Sequence, residues 1–128
     1  MFVNLPVRDL DRSVAFFTAL GFSFNPAFTN ENATCMLVGE DAFVMLLVEP
    51  FFRQFTDKQL CDTSRSIEAL VALSADSREG VDALLRLALA AGAREPRPAQ
   101  DHGFMYQRSF EDLDGHAWEL FHMAGEPA

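Results

Sequence analysis

The stretch that decides the fold runs from residue 110 to residue 121 and reads Phe-Glu-Asp-Leu-Asp-Gly-His-Ala-Trp-Glu-Leu-Phe. It places an acidic turn between two apolar runs, and an Asp-Gly pair in that position predicts a tight hairpin. The second run carries one carboxylate, Glu119. Three roles for Glu119 stay open at this point: a metal ligand, a binding group in a pocket, and a strand carboxylate with an ordinary partner.

The composition limits the classes of function. The chain has 128 residues, 49% of them hydrophobic, and a net charge of −9, which predicts one soluble domain with a real core. The acidity argues against nucleic acid and anionic membrane surfaces as partners. No apolar run approaches the ~20 residues of a membrane span. Cys35 and Cys61 are too few for a disulfide framework, so we expect a cytoplasmic protein.

The chain repeats one order of elements: strand, helix, then three strands. Each helix has an N-cap residue and a terminal glycine, Asp9 with Gly21 and Ser77 with Gly92. An offset of 119 − 45 = 74 aligns Met45 with Glu119. A repeat of this kind predicts two similar units, module one at about residues 1–60 and module two at about 66–123, within a single domain of 1–128.

The predicted strands of the two modules are less regular at two points. Phe22–Phe28 contains Pro26, and 94–101 is an irregular or edge strand because it carries Pro96 and Pro98. The remaining strands of the second module are predicted at 67–75, 103–110 and 117–123.

Residues 7–17, with Leu20-Gly21-Phe22, and the 110–119 segment resemble the vicinal oxygen chelate superfamily. That group includes glyoxalase I, bleomycin-resistance proteins and extradiol dioxygenases. The resemblance covers nearly the whole chain. It implies an α+β fold in which two βαβββ modules form a curled mixed sheet, a cup that a second chain often completes, so we expect a homodimer.

The resemblance also implies where a metal ion would bind. Ligands lie on the first and last strand of each module, and these positions fall on Phe2, Met45, Leu70 and Glu119. Glu119 alone suits a divalent ion, and a catalytic zinc site needs about three protein ligands. We therefore expect no cofactor, with a divalent metal ion at Glu119 as the alternative.

The residues expected around Glu119 come from both modules. Glu119 is the candidate catalytic acid or base. The candidate ligand-binding residues are Asn4, Met45, Leu47, Leu70, Tyr106, Arg108 and Phe121. Tyr106 and Arg108 alternate on one face of their strand, which also fits an ordinary cross-strand pair.

These observations favour a glyoxalase/bleomycin-resistance-like protein that binds a small organic molecule in an apolar cup, its metal site lost. One alternative is a metal-dependent lyase or isomerase resembling lactoylglutathione lyase. Another is a dimeric interaction module without a ligand.

Overall fold

The computed structural model describes residues 1–124. It separates into two compact units, one of Met1–Cys61 and one that begins at Asp62. The predicted module bounds of about 1–60 and 66–123, and their union in a single domain, stay predictions. Within the described residues, no helix is long and apolar enough to cross a membrane.

The elements of the first unit are β1 Phe2–Val7, α1 Leu10–Ala19, β2 Ser23–Asn25, β3 Ala33–Leu37, β4 Phe43–Val48 and α2 Glu49–Phe52. Its four strands form one sheet in the order β1-β4-β3-β2, with a helix on one face. Strands β1 and β4 are parallel, and the other pairs are antiparallel.

The elements of the second unit are β5 Leu70–Ser74, α3 Arg78–Ala90, β6 Gln100–Asp101, β7 Met105–Glu111 and β8 Ala117–Met123. They repeat the connectivity of the first unit, with the strands in the order β5-β8-β7-β6 and β5 parallel to β8. Two βαβββ units are therefore present, and the predicted α+β fold class is confirmed.

Local chemistry sets the bounds of α1 and α3 as the sequence predicts. The Asp9 side chain accepts the Arg12 N–H at 3.2 Å, and the Ser77 hydroxyl accepts the Gly80 N–H at 2.9 Å. Such N-caps each contribute about 1 kcal/mol. Gly21 and Gly92 end the helices in the left-handed region, where a side chain would be strained.

Each sheet buries one face against its helix. In the second unit, Val81 and Leu85 of α3 and the sheet residues Phe110, Trp118 and Leu120 are at most 1% exposed. The Phe110 and Trp118 rings stack with centroids 6.1 Å apart. Because side chains alternate along a strand, the residues between these point to the opposite face, which carries Glu119.

Three predicted strands are shorter than expected. The second strand ends at Asn25, because the Asn25 side chain accepts the Ala27 N–H at 2.9 Å and Pro26 starts a 3-10 turn. The strand predicted from residue 67 begins at Leu70, and the 94–101 segment pairs regularly only at Gln100–Asp101.

Candidate binding site on the second sheet

The acidic turn before β8 is built around the Asp112 carboxylate, which is 8% exposed. It accepts the backbone N–H groups of Asp114 and His116 at 2.9 and 3.0 Å, and the Trp118 indole N–H at 2.9 Å. Burial raises the pKa of Asp112 above its ordinary value, although these donors act in the opposite direction. The turn thereby fixes where β8 starts.

The glycine of this turn has a steric reason as well as a conformational one. Gly115 has φ +80°, and a Cβ at that position would lie 2.7 Å from the Thr63 hydroxyl oxygen. The same hydroxyl donates to the Asp114 carbonyl oxygen at 2.5 Å. The segment before β5 therefore packs directly on the turn.

Glu119 lies on the face of the sheet that turns away from α3. It is half-buried, between Ala72 of β5 and Ser109 of β7 in the strand register. The Gln107 side-chain amide donates to Glu119 Oε2 at 2.8 Å. Within residues 1–124 no donor is recorded for Oε1, which leaves that oxygen able to accept a hydrogen bond or a proton from a ligand.

An open pocket of about 430 Å³ lies beside Glu119. Its walls combine apolar side chains with a few polar groups, as small-molecule sites do. The lining residues are Ile67, Leu70, Pro96, Arg97, Pro98, Gln100, Gln107, Arg108, Ser109, Phe110, Glu111, Ala117 and Glu119.

One wall of the pocket is formed by residues 95–99, which we call the arch because this edge segment bows away from β7. Arg94 exchanges two backbone hydrogen bonds with Glu111, at 3.1 and 2.7 Å, and Gln100 pairs with Gln107. Between these anchors, five residues (95–99) face three residues of β7 (108–110). The surplus of two residues forces the segment away from β7.

Tyr106 and Arg108 share a face, as predicted, but it is the face toward α3 and not that of Glu119. The Tyr106 hydroxyl donates to Asp82 at 2.7 Å, and this bond raises the pKa of Tyr106 and lowers that of Asp82. Arg108 bonds Asp82 at 2.9 Å and Glu95 at 3.0 Å. Their role in ligand binding stays a prediction.

The other predicted residues divide between the two units. Asn4 pairs with Met45 on one face of the first sheet, where Leu47 is 4% exposed. Leu70, 57% exposed, lines the pocket together with Glu119, and Phe121 lies on the same face of β8.

Gln107 and Ser109 line the pocket but were not predicted from the sequence. The signal for both was the alternation of β7: the face opposite Tyr106 and Arg108 carries these two polar residues, and the register sets Ser109 directly across from Glu119.

The residues at the implied ligand positions do not fit a divalent metal ion. The first unit offers a phenyl ring and a thioether, Phe2 and Met45, and the second offers Leu70 and Glu119. Within residues 1–124, no three His, Cys, Asp or Glu side chains are grouped to hold a metal. His122 lies on the α3 side of β8, with Nδ1 2.9 Å from the Ala75 carbonyl oxygen.

Comparison with known proteins supports the fold. Residues 1–39 match the family model described as bleomycin resistance protein-like N-terminal. No curated protein matches the chain.

Several solved structures are similar over nearly their whole length. A hypothetical protein, SA1046 of S. aureus, is 28% identical with a TM-score of 0.81, covering 94% of this chain and 91% of that one. A glyoxalase/bleomycin resistance protein/dioxygenase family enzyme from Burkholderia phytofirmans is 19% identical with a TM-score of 0.79, covering 95% and 96%. The fosfomycin resistance protein FosX of Listeria monocytogenes is 19% identical with a TM-score of 0.69, covering 100% and 93%. These likenesses confirm the predicted fold, and the match at residues 1–39 agrees with the predicted resemblance to bleomycin-resistance proteins.

Proposed function

We propose that this chain, which has the glyoxalase/bleomycin resistance/dioxygenase fold, binds a small organic molecule beside Glu119 without a resident metal ion. The observation that carries the proposal is the 430 Å³ pocket on the second sheet. Its size falls within the range of about 300–1,000 Å³ that is typical of small-ligand sites.

The chemistry of the lining supports an organic ligand. Leu70, Pro96 and Pro98 offer apolar contact, which stabilises a bound molecule by removing its surface from water. Glu119 supplies a charge-assisted acceptor, and Gln107 fixes the orientation of that carboxylate. A few placed polar groups in an apolar pocket give orientation and specificity.

The absence of suitable ligands at the equivalent strand positions supports a metal-free mode of binding. Met45 is a soft thioether, and soft donors are poor partners for hard divalent ions. With Glu119 as the one oxygen donor among those four positions, binding must rest on hydrogen bonds and apolar contact. The homodimer and the cytoplasmic location stay predictions.

A ligand screen tests the proposal. We expect hits from a library of small amides, amines and aromatic acids to raise the melting temperature, because a ligand at 100 times its Kd adds about 2.7 kcal/mol of stability. Their ¹⁵N–¹H chemical shift changes should centre on Gln107, Ser109 and Glu119.

The matched variants are Glu119→Gln and Glu31→Gln, the second at an exposed turn of the first unit. Glu119→Gln should weaken hits by about tenfold, the cost of one charge-assisted hydrogen bond, and Glu31→Gln should leave them unchanged. Hits whose shifts map away from the pocket, or equal loss in both variants, would contradict the proposal. One bound ion per chain, lost in Glu119→Gln, would contradict the metal-free part.

A further inference from the structure

The hydrogen-bond pattern of β7 shows which of its backbone groups face the arch. The backbone N–H and C=O groups of even-numbered residues face β8, because the Asp112 N–H donates to the His116 carbonyl oxygen and the Ala124 N–H donates to the Phe104 carbonyl oxygen. Odd-numbered residues face the other way: Glu111 bonds Arg94, and the Met105 carbonyl accepts from His102. The N–H and C=O of Ser109 therefore point into the arch, since both groups of one residue lie on the same side of an antiparallel strand.

Two prolines stand where a partner for Ser109 would be. Extending the Arg94–Glu111 register places Pro96 opposite Ser109, and extending the Gln100–Gln107 register places Pro98 there. Neither proline has an N–H to donate. Within the described residues, no backbone hydrogen bond joins Ser109 to the 95–99 segment.

The arch thus leaves a backbone donor and acceptor open at a place that is also the pocket wall. Ser109 lines the pocket, and its side chain is paired across the strands with Glu119 on the pocket face. Unpaired main-chain groups are costly to bury and are normally satisfied. A ligand that pairs with Ser109 would restore the two hydrogen bonds that the edge of the sheet lacks.

We propose that the ligand of this pocket carries an amide unit that pairs with the Ser109 N–H and C=O as a strand residue would. The inference rests on the proposed function and names its ligand class: small molecules with an N–H and a C=O flanking one carbon, as in an N-acylated amino acid amide. Backbone pairing of this kind supplies affinity, while pockets for side groups supply specificity. Leu70, Pro96 and Pro98 would contact an apolar side group of the ligand. The Glu119 carboxylate would accept a hydrogen bond from a further donor on the ligand.

The first test uses the protein without ligand. Hydrogen exchange followed by NMR should show the Ser109 amide exchanging about 100-fold faster than that of Glu111, because unpaired amides are not protected by a ladder. The Phe110 amide, which faces β8, should be protected like that of Glu111. Protection of Ser109 equal to its neighbours would overturn the proposal.

The second test uses N-acetyl-L-leucine methylamide as the probe. A molecule of this size should bind with a Kd on the order of 1 mM, and the Ser109 amide proton should move downfield as the bond forms. The matched probe is methylated on the leucine nitrogen, which removes the donor to the Ser109 carbonyl, and should bind at least about tenfold more weakly. Equal binding of the two probes, or no binding of either, would overturn the proposal.

Two variants separate backbone from side chain. Ser109→Pro removes the N–H on the edge side, where proline is tolerated in a strand, and should weaken the first probe by at least about tenfold, because the probe carbonyl loses its donor. Ser109→Ala keeps the backbone and should bind the first probe within about twofold of the wild type. If Ser109→Pro does not fold, the pair of probes on the wild-type protein still decides.

The failure of this inference differs from the failure of the proposed function. Hits from the ligand screen that lack an amide, shift Glu119 and Gln107 and leave Ser109 unmoved would sustain the pocket and overturn the amide class. Hits that map away from the pocket would overturn both.

Discussion

In each sheet a row of paired residues crosses the strands through the middle of the last strand. In the first sheet the row through Met45 is closed, because its pairing extends to the edge strand. In the second sheet the matching row through Glu119 is open, because its pairing stops at Ser109 within residues 1–124. In the first unit Met45 pairs with Cys35, and Cys35 pairs in turn with Asn25 of β2. In the second unit Glu119 pairs with Ser109, and among residues 1–124 no residue pairs with Ser109 on the edge side. Cys35 is 1% exposed, whereas Ser109 lines a pocket.

The position of proline accounts for this difference. Pro26 follows the last paired residue of β2, so the edge strand completes its pairing before the chain leaves the sheet. Pro96 and Pro98 fall inside the segment that would pair with Ser109. Proline in a strand removes ladder hydrogen bonds, and the same fold therefore yields a packed row in one unit and an open pocket wall in the other.

The two units also differ in the turn that leads into the last strand, which is built around a buried carboxylate only in the second unit. Removing that carboxylate is expected to have the largest effect on the free energy of unfolding. Asp112→Ala should lower the free energy of unfolding by about 3 kcal/mol, because it strands the buried Trp118 indole N–H and two backbone donors. Urea unfolding followed by tryptophan fluorescence measures this.

The control lies in the corresponding turn of the first unit. Asp41 is exposed, and it accepts the N-terminal amine through its carbonyl, not its side chain. Asp41→Ala should change the free energy of unfolding by less than about 0.5 kcal/mol. Equal losses in the two variants would show that the acidic turn has no special structural role.

Disrupting the edge-strand end of the first row should have the next largest effect on the free energy of unfolding. Asn25→Pro places two prolines in succession at the end of β2 and removes the side-chain acceptor of the Ala27 N–H, so the expected loss is about 2 kcal/mol. Burial also raises the pKa of the Cys35 thiol, which keeps the thiol protonated and unreactive.

Thiol labelling provides the readout. With Cys61, which is exposed, replaced by serine, Cys35 in Asn25→Pro should react at least about tenfold faster with a disulfide reagent. An unchanged rate would mean that the edge strand does not protect this row.

Closing the second row is the converse experiment. Replacing Pro96 and Pro98 together by alanine supplies an N–H that can donate to the Ser109 carbonyl oxygen. The second bond of such a pair runs from the Ser109 N–H to the alanine carbonyl, so the Ser109 amide should exchange at least about tenfold more slowly. The loss of two prolines costs about 1 kcal/mol through the unfolded chain. The control is Pro50→Ala, because Pro50 lies in the short α2 of the first unit. This variant should leave the exchange of the Ser109 amide unchanged.

Alternation along the chain predicted much of this arrangement, but not the parts that depend on register. The alternation placed Glu119 and Trp118 on opposite faces of the last strand, and it placed Tyr106 and Arg108 on the same face of theirs. It could not show that the latter pair faces α3, because their partners Asp82 and Glu95 come from other elements. It identified Pro96 and Pro98 as edge residues. Their alignment with Ser109 follows from pairing at Arg94 and Gln100, which no local pattern specifies.

The far end of the arch is anchored by an ion pair whose removal should have the smallest effect. Arg78 donates to both oxygens of Asp101, at 2.6 and 2.8 Å, and these bonds hold the pKa of Asp101 well below its ordinary value. A carboxylate with a lowered pKa adds stability above its unfolded pKa of about 3.9 and loses it as pH falls further. The wild type should therefore lose stability below pH 4 more steeply than Asp101→Asn.

Melting temperatures between pH 2 and pH 6 measure this slope, with Asp57→Asn, an exposed position outside the recorded ion pairs of residues 1–124, as the control. The difference between wild type and Asp101→Asn should shrink at high salt, because both side chains are exposed and screened. If Asp101→Asn also raises the exchange of the Gln100 amide while Asp57→Asn does not, the ion pair helps to hold the end of the arch. Parallel pH profiles for all three proteins would instead leave the pairing of Gln100 with Gln107 as the anchor, and the open row would then depend on the prolines and the backbone alone.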